Sequence, residues 1–457
     1  MFFEVREKVK TELFGMEKRC GEKEGANHMN RIPVNTVNPL LTLQKHGQSV
    51  WLDNIQRNLN TSGELKRLIE EDGLCGITSN PAIFEKAING SSDYKKALEE
   101  LTREQDMDAK TRYEQVAIWD IREAADVLKT IYESTKKRDG YVSWEVSPHL
   151  ARDTRGTLEE ARRLWKAVGR DNIMIKVPAT PEGILAITQL ISDGINVNVT
   201  LLFALETYEQ VAEAYLTGLE KLLERGGDIN GVASVASFFI SRIDTAIDAV
   251  ISSQLKLVRN EAAQAALRHL QGKIAIAQAK LTYQRYLTLF SSLRWDALAQ
   301  RGAMTQRLLW ASTSAKNPKY RDVIYVEELI GPDTINTIPP ATLEAFRDHG
   351  HPRTRLIEGL EDAQDTMETL KGVGISIQDI TKRLLREGLQ SFTDAFDKLL
   401  AAIEQPFDAD GPGIEKEDSD PLPTYSTISR KEGFENVAQP LQAMADPSLP
   451  WQSRSAK

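Results

Sequence analysis

The stretch Ile173-Met174-Ile175-Lys176-Val177-Pro178 has the side-chain alternation of a β-strand, with a lysine between apolar neighbours. Successive side chains of a strand point to opposite faces, so Ile175 and Val177 share one face and Lys176 occupies the other. Burying an ammonium is costly, and lysine is rarely buried without a partner. The neutral amine that burial favours is a nucleophile for carbonyl groups. The stretch therefore predicts a strand that presents a reactive lysine to the inside of the fold.

Seven further β-like runs alternate with helix-like stretches along the chain, which is typical of a parallel α/β fold. The eight predicted strands are Ser49–Asp53, Leu74–Asn80, Val142–Ser147, Ile173–Pro178, Asn196–Leu202, Val232–Phe239, Leu308–Ser314 and Thr334–Ile338. Two intervening segments, 112–136 and 206–224, carry an apolar stripe at helical spacing. Eight βα units over about 300 residues predict a TIM (β/α)8 barrel, with residues 244–300 as a helical insertion.

The two ends of the chain differ from this pattern. Residues 1–37 are polar, mixed in charge and without strong periodicity, which predicts a flexible N-terminal extension. Residues 405–457 contain seven prolines and an acidic run at Glu415–Asp418, which predicts a disordered tail. The expected organisation is one barrel domain, residues 38–404, between two extensions.

Composition limits the classes of function. A formal net charge of -9 argues against non-specific binding to nucleic acid or to an anionic membrane, and no apolar run is long enough to span a bilayer. Cys20 and Cys75 lack the spacing of a metal site or a disulfide framework, and the N-terminus resembles neither a signal peptide nor a transit peptide. We therefore expect a cytoplasmic protein whose partners are small molecules or proteins.

Polar side chains recur on one face near the ends of six consecutive predicted strands. Together with one aromatic residue they are Asp53, Thr78, Asn80, Glu145, Lys176, Asn198, Thr200, Ser237 and Phe239. Side chains at the carboxyl ends of the strands build the active site of a TIM barrel. Each of the small polar residues alone is more often a helix cap or turn residue. Glu145 alone could be a solvated carboxylate, and Lys176 alone could extend its amine to solvent at the barrel rim. Their repetition predicts one polar site around Lys176.

Two cations, Arg242 and Lys316, follow the sixth and seventh predicted strands. TIM barrels commonly bind phosphate after their late strands, so this pair predicts a phosphate pocket, although Lys316 alone fits a surface loop equally well. His349 and His351 have no third ligand nearby in the sequence, and no glycine-rich nucleotide-binding motif is present. No metal and no cofactor are predicted.

Five ordered motifs give the chain a specific resemblance to the transaldolase family. They lie within 38–53, 76–81, 146–150, 175–180 and 198–203 and read NPL…WLD, GITSNP, VSPHL, IKVPAT and NVTLLF. The resemblance extends over roughly residues 38–404 and is greatest for the long-chain transaldolases of cyanobacteria and actinobacteria, which also occur fused to phosphoglucose isomerase. It implies sugar phosphate substrates and a reaction without a cofactor.

The resemblance also implies roles for the matching residues. Lys176 matches the lysine that forms a Schiff base with the C2 ketone of a ketose phosphate. Glu145 matches the acid that acts through an ordered water during carbinolamine dehydration, and Thr200 matches a residue that holds this water. Asp53 matches the base that takes the C4 hydroxyl proton as the C3–C4 bond breaks. The positions that bind the three-carbon fragment and the phosphate are matched by Thr78, Asn80, Asn198, Ser237, Phe239, Arg242 and Lys316.

One position departs from the family pattern. Many transaldolases have an arginine where this chain has Lys316, and lysine offers a point charge in place of a bidentate fork. The expected reaction transfers dihydroxyacetone from sedoheptulose 7-phosphate to glyceraldehyde 3-phosphate in the non-oxidative pentose phosphate pathway. Two alternatives are a Schiff-base aldolase, such as a fructose 6-phosphate aldolase, and a catalytically silent barrel that serves as a scaffold. The sequence leaves the oligomeric state open, with a homodimer as one possibility.

Overall fold

The computed structural model describes residues 38–103 and 107–404, in which eight parallel strands close into a barrel. The strands pair in sequence order and β8 pairs with β1. They are β1 (Gln48–Asp53), β2 (Leu74–Thr78), β3 (Tyr141–Glu145), β4 (Ile173–Pro178), β5 (Val197–Leu202), β6 (Ser234–Phe239), β7 (Arg307–Ala311) and β8 (Thr334–Ile338). The predicted TIM barrel is thus confirmed. The predicted N-terminal extension, with Cys20, and the predicted C-terminal tail lie outside the described residues.

Helices connect the strands and surround the barrel. Those before β4 are Pro39–Lys45, Arg57–Thr61, Glu64–Asp72, Pro81–Asn89, Lys95–Arg103, Ala109–Ser134 and Thr154–Val168, with short 3-10 helices at Ser92–Tyr94 and Pro148–Leu150. Those after β4 are Pro181–Ser192, Leu205–Glu224, Ser241–Leu257, Glu261–Leu270, Ile274–Leu289, Leu293–Ala299, Ile324–Glu327, Pro340–His349, Leu360–Gly372 and Ile377–Glu404. None of the described helices combines the length and the apolar character that crossing a membrane requires.

Three strands end earlier than the sequence predicts, because local turns and caps replace the strand pairing. After β2, the side chain of Asn80 caps the next helix, and its Oδ1 accepts the backbone N–H of Ile83 at 3.1 Å. After β3, the chain enters the short 3-10 helix Pro148–Leu150. After β7, Ser312 has a φ of 56°, a left-handed conformation that a strand cannot continue.

The segment between β6 and β7 is helical, as the sequence predicts for residues 244–300. Its first helix is anchored by Asp244, which is 1% exposed. The Oδ1 atom of Asp244 accepts the backbone N–H of Ala275 at 2.8 Å, and its Oδ2 atom accepts the Tyr325 hydroxyl at 2.9 Å. One buried carboxyl therefore joins two insertion helices to the segment that follows β7.

A buried ion pair fills the N-terminal end of the barrel. Arg307, the first residue of β7, donates to Asp139 Oδ1 at 2.8 Å. Trp51 Nε1 donates to the same oxygen at 2.9 Å, and Ser49 Oγ donates to Asp139 Oδ2 at 2.7 Å. Since these partners satisfy one another, this end of the lumen is a packed structural layer.

The helix Ile377–Glu404, here called the C-terminal helix, lies against elements at the carboxyl ends of β3 and β5. Its Phe396 packs edge-on against Tyr113, with ring centroids 5.8 Å apart. At Gly388 the helix approaches β5 so closely that an added Cβ would lie 2.9 Å from Leu201 Cδ2. Leu201 itself sits at an irregularity of the β5–β6 pairing and has a φ of 57°. The C-terminal helix therefore borders the end of the barrel where TIM-barrel active sites lie.

Candidate active site

Lys176 lies inside the barrel, and the residue is 4% exposed. Its Nζ donates to the backbone carbonyl of Ser79 at 2.7 Å and lies 3.3 Å from Glu145 Oε2. The flanking Ile175 and Val177 are fully buried on the other face of β4. Strand register explains the neighbours, because Lys176 pairs with Glu145 on β3 and with Asn198 on β5. The structure thus brings an amine, a carboxyl group and an amide into one layer of the lumen.

The carboxyl group of Glu145 is buried beside this amine, and its Oε2 has no aligned hydrogen-bond partner among the described residues. Burial raises the pKa of Glu145, the Lys176 ammonium acts in the opposite direction, and Asp53 adds a further increase. Glu145 therefore keeps its proton to a higher pH than an exposed carboxyl does. A buried carboxylic acid next to an amine is suited to general acid–base catalysis.

The second carboxyl group, Asp53 on β1, is half-buried and has a different environment. It accepts the Thr78 hydroxyl at 2.7 Å, and Thr78 Oγ1 lies 2.6 Å from Thr337 Oγ1 on β8. Desolvation raises the pKa of Asp53, while the hydrogen bond from Thr78 and the charges of Lys176, Arg242 and Lys316 lower it. Asp53 therefore lies within the field of every cation that the sequence assigns to the site.

The amide of Asn198 is held from both sides. Its Nδ2 donates to Ser143 Oγ at 3.0 Å, and Ser237 Oγ donates to its Oδ1 at 2.6 Å. All three residues are buried. These contacts fix the orientation of the amide, so that one face of Asn198 can meet a ligand with its donor and acceptor already positioned.

The structure adds Ser143 and Thr337 to the residues predicted for the site. Ser143 shares a strand face with Glu145, so the same alternation that marked Glu145 could have marked it. Thr337 precedes the last residue of β8 and is buried beside Thr78. Both side chains act across strands, and sequence alternation alone does not reveal which strands are neighbours in register.

Thr200 lies two residues after Asn198 on β5, and Asn80 is the N-cap of the helix that follows β2. Thr200 is fully buried, and its hydroxyl has no hydrogen-bond partner in the described part of the chain. A buried hydroxyl without a partner is costly, so a water molecule or a substrate oxygen would stabilise it. The oxygen of the Asn80 amide is used as a helix cap, which leaves its Nδ2 as the group that can donate to a ligand.

The predicted cations lie near the carboxyl ends of the late strands. The guanidinium of Arg242 stacks over the Phe239 ring at 5.4 Å, and its buried Nη1 has no partner among residues 38–103 and 107–404. Lys316 Nζ donates to Ser314 Oγ at 2.7 Å. Desolvation and Arg242 lower the pKa of Lys316, while Asp53 raises it, and the exposure of this side chain lets water screen these effects. The arrangement offers two positive charges to an anionic ester.

Together these groups can form an imine and then break a carbon–carbon bond. The amine supplies the nucleophile, the two carboxyl groups supply an acid and a base in different environments, and the cations supply an anion site. In the described ranges, no three His, Cys, Asp or Glu side chains are grouped so that they could hold a metal ion.

Comparisons with known proteins agree with this geometry. Residues 50–403 match the family model described as Transaldolase/Fructose-6-phosphate aldolase. A transaldolase of Trichodesmium erythraeum is 49% identical over 371 residues, which cover 81% of this chain and 97% of that protein. A Nostoc protein named Transaldolase 2 is 48% identical over 371 residues, with 80% and 97% covered. A transaldolase of Thiobacillus denitrificans is 46% identical over 357 residues, with 78% and 97% covered.

Proposed function

The chain belongs to the transaldolase family, and from this premise we propose that Lys176 is its Schiff-base residue. The enzyme is a transferase. Its proposed substrates are sugar phosphates, with a dihydroxyacetone unit moving reversibly from sedoheptulose 7-phosphate to glyceraldehyde 3-phosphate. The products are erythrose 4-phosphate and fructose 6-phosphate. The observation that carries the assignment of the lysine is the buried contact of Lys176 with Glu145.

In the proposed mechanism, Lys176 attacks the C2 ketone of the donor and forms a carbinolamine. Glu145, acting through a water that Thr200 holds, gives a proton to the C2 hydroxyl, which leaves as water and produces the iminium ion. Asp53 then removes the C4 hydroxyl proton, the C3–C4 bond breaks, and its electrons move toward the iminium nitrogen. An aldose phosphate leaves, and an enamine remains on Lys176.

The fragment must stay bound while one aldehyde leaves and another enters. The proposed contacts are the Nδ2 of Asn80, the Asn198 amide and the Thr78 hydroxyl, since these groups lie near Lys176 and do not depend on the phosphate. Asn198 is pre-oriented by its serine neighbours, so binding the fragment costs little reorganisation.

The phosphate end of the substrate is proposed to bind Arg242 and Lys316, with Ser237 and Phe239 along the pocket. Support comes from the buried guanidinium nitrogen of Arg242 that lacks a partner among the described residues. An ammonium at position 316 holds phosphate as a point charge and leaves its orientation mainly to Arg242. We include a cytoplasmic location in the proposal, which the composition supports, and a place in the non-oxidative pentose phosphate pathway, which membership of the family supports.

Reduction of the imine tests the assignment. Sodium borohydride with fructose 6-phosphate should trap a three-carbon adduct, and peptide mapping should find it on Lys176. Lys176→Ala should lose both the adduct and transfer activity. Lys280→Met is the matched control, because Lys280 is also buried but donates to the Glu358 carbonyl at 2.9 Å, and it should keep both. Transfer activity in Lys176→Ala would contradict the proposal.

The second candidate function is that of an aldolase, because the matching family model includes fructose-6-phosphate aldolase. Such an enzyme would release dihydroxyacetone when no acceptor aldehyde is present. We expect free dihydroxyacetone from fructose 6-phosphate to form far more slowly than transfer occurs with an acceptor. Equal rates would favour the aldolase.

A further inference from the structure

A small cavity lies on the outer side of Glu145. Its volume is about 10 Å³. That room is close to what one water molecule needs. Its outer boundary is aromatic, and Glu145 and Asn80 border it on the side of the lumen. The aromatic residues are Phe84, Tyr113, Trp144 and Phe396.

Tyr113, on the helix Ala109–Ser134, is held in one orientation. Its ring makes edge contacts with Phe84, Phe396 and Trp144, with centroid distances of 5.5, 5.8 and 6.3 Å. Its oxygen accepts the Trp144 Nε1 hydrogen at 3.0 Å. A phenol also has one proton to donate, and that proton has no acceptor in the described part of the chain. Burial raises the pKa of Tyr113, so the group remains a donor at neutral pH.

Glu145 presents the complementary group. Its Oε2 is buried without an aligned hydrogen bond among the described residues, and the residue lines the same cavity as Tyr113. Buried polar atoms are usually satisfied by protein groups or by ordered water. Tyr113, whose hydroxyl hydrogen has no acceptor among the described residues, and Glu145, whose Oε2 is paired with Lys176 Nζ at 3.3 Å but has no aligned hydrogen bond, therefore line one cavity with room for a water molecule.

We propose that the cavity binds one water molecule that accepts the Tyr113 hydroxyl hydrogen and donates to the Glu145 carboxylate. Tyr113 then acts as a positioning residue for Glu145, and this inference rests on the proposed imine chemistry. Glu145 loses its proton to the hydroxyl that departs as water, and it regains one when the imine is hydrolysed. The bridging water keeps both of its protons and stabilises the carboxylate in between.

Loss of this donor should change how activity depends on pH. A hydrogen bond donated to a carboxylate favours the charged form, so removing it raises the pKa of Glu145. Because Glu145 must carry its proton to act as the acid, its pKa sets the alkaline limb of the profile of kcat/KM, and this limb should then move to higher pH. Other charged groups near the two residues also affect this limb. Lys176 and Asp53 act on Glu145 from the lumen. Near Tyr113 lie the ion-paired groups Glu114, Glu160, Lys110 and Arg163, and the pair His149–Asp397 lies at the outer edge.

The test compares pH profiles of transfer activity. Tyr113→Phe should lower kcat by roughly tenfold and move the alkaline limb to higher pH, with KM changed less than kcat. Trp144→Phe keeps the Tyr113 hydroxyl and should keep the limb of the parent enzyme. The double variant removes both partners of the Trp144–Tyr113 hydrogen bond, leaves no unpaired donor, and should show the shift of Tyr113→Phe. Tyr283→Phe removes a hydroxyl bonded to the Pro332 carbonyl before β8 and is the control for loss of a buried phenol.

An unchanged limb in Tyr113→Phe and in the double variant would overturn the proposal, as would an equal shift in Trp144→Phe or Tyr283→Phe. Borohydride trapping separates this failure from failure of the proposed function. An adduct on Lys176 in the parent enzyme together with an unchanged limb rejects the role of Tyr113 alone. Absence of the adduct in the parent enzyme rejects the imine chemistry and the inference with it.

Discussion

At the scale of single residues, the site depends on hydroxyl groups that cross between strands. Asn198 would be free to rotate without its two serine partners, because the amide nitrogen and oxygen are each held by one of them. The Ser143 hydroxyl accepts from Nδ2, and the Ser237 hydroxyl donates to Oδ1. The contact proposed between Asn198 and the substrate fragment is therefore only as well placed as these partners.

Ser143→Ala tests this dependence. The variant leaves the Asn198 nitrogen without its acceptor, and we expect kcat/KM for transfer to fall by roughly tenfold, with about 1–3 kcal/mol lost in the free energy of unfolding. Ser234→Ala is the control, since Ser234 is a buried serine at the start of β6 that donates to the Val197 carbonyl. The measurements are kcat/KM and urea unfolding. An equal effect of both variants on activity would show that Ser143 has no special role.

Residues such as Lys176 and Glu145 could be predicted because each is a charged side chain inside an apolar alternation. The roles of Ser143 and Thr337 could not, because serine and threonine are common on strands and only the register between strands shows their partners. The role proposed for Tyr113 could not be predicted from the sequence either. It lies on a helix outside the barrel, where an aromatic residue at helical spacing is usually part of the core.

At the scale of elements, the existence of all eight strands followed from alternation, and their ends did not. The helix predicted over 112–136 runs from Ala109 to Ser134 and stops where Lys136 and Lys137 adopt positive φ angles. Strand ends shift by up to three residues for a similar reason, because caps and turns such as the Asn80 cap compete with strand pairing. The element boundaries therefore depend on local turns that a periodic pattern does not contain.

The insertion helices should respond to pH through Asp244. Burial raises the pKa of this carboxyl from 3.8 to about 7. The hydrogen bonds that Asp244 accepts oppose the increase, and the charge of Asp248 adds to it. Between these two pKa values the folded state holds a proton that the unfolded chain has released. The contribution of Asp244 to the free energy of unfolding is therefore highest below about pH 4 and falls as the pH rises through about 7. At about 1.4 kcal/mol per pKa unit, the full loss is roughly 4 kcal/mol.

Asp244→Asn should remove most of this pH dependence. The amide oxygen can still accept the Ala275 N–H, and the amide nitrogen can donate to the Tyr325 oxygen, so the variant should be more stable than the parent at pH 8. Urea unfolding at pH 5 and pH 8 measures the change. Asp365→Asn, on an exposed position of the helix Leu360–Gly372, is the control and should follow the parent. A variant that keeps the full pH slope would contradict the assignment to Asp244.

At the scale of the whole molecule, the two ends of the barrel have separate tasks. The Arg307–Asp139 pair and its partners fill the N-terminal end, while the proposed site occupies the C-terminal end. The sequence predicts this division only in part. Side-chain alternation predicts the polar layer at the strand ends. It does not predict the role of Arg307, the buried arginine at the first position of β7, because its partner Asp139 lies far away in the chain.

A shortened chain should therefore keep its activity. Residues 38–404 contain every proposed site residue, and the Trichodesmium relative is matched over 97% of its length by 81% of this chain. We expect the kcat/KM of a protein made of residues 38–404 to lie within about twofold of the full chain, since no side chain of the proposed site is removed. A matched variant of residues 38–376, which lacks the C-terminal helix, should lose stability and activity. A folded 38–404 protein without turnover would instead support a functional role for the extensions.

The position of the C-terminal helix also has a consequence for protein synthesis. Domains fold as the chain leaves the ribosome, from the N-terminal side onward. All eight strands, with Lys176 and Glu145, precede residues 377–404, so a nascent barrel can pair its strands before Phe396 and Gly388 exist. The rim beside Glu145 is then open to water until the last helix docks. The strands of the barrel can therefore form before the rim beside Glu145 is complete, so catalytic competence should arise only after residues 377–404 have left the ribosome.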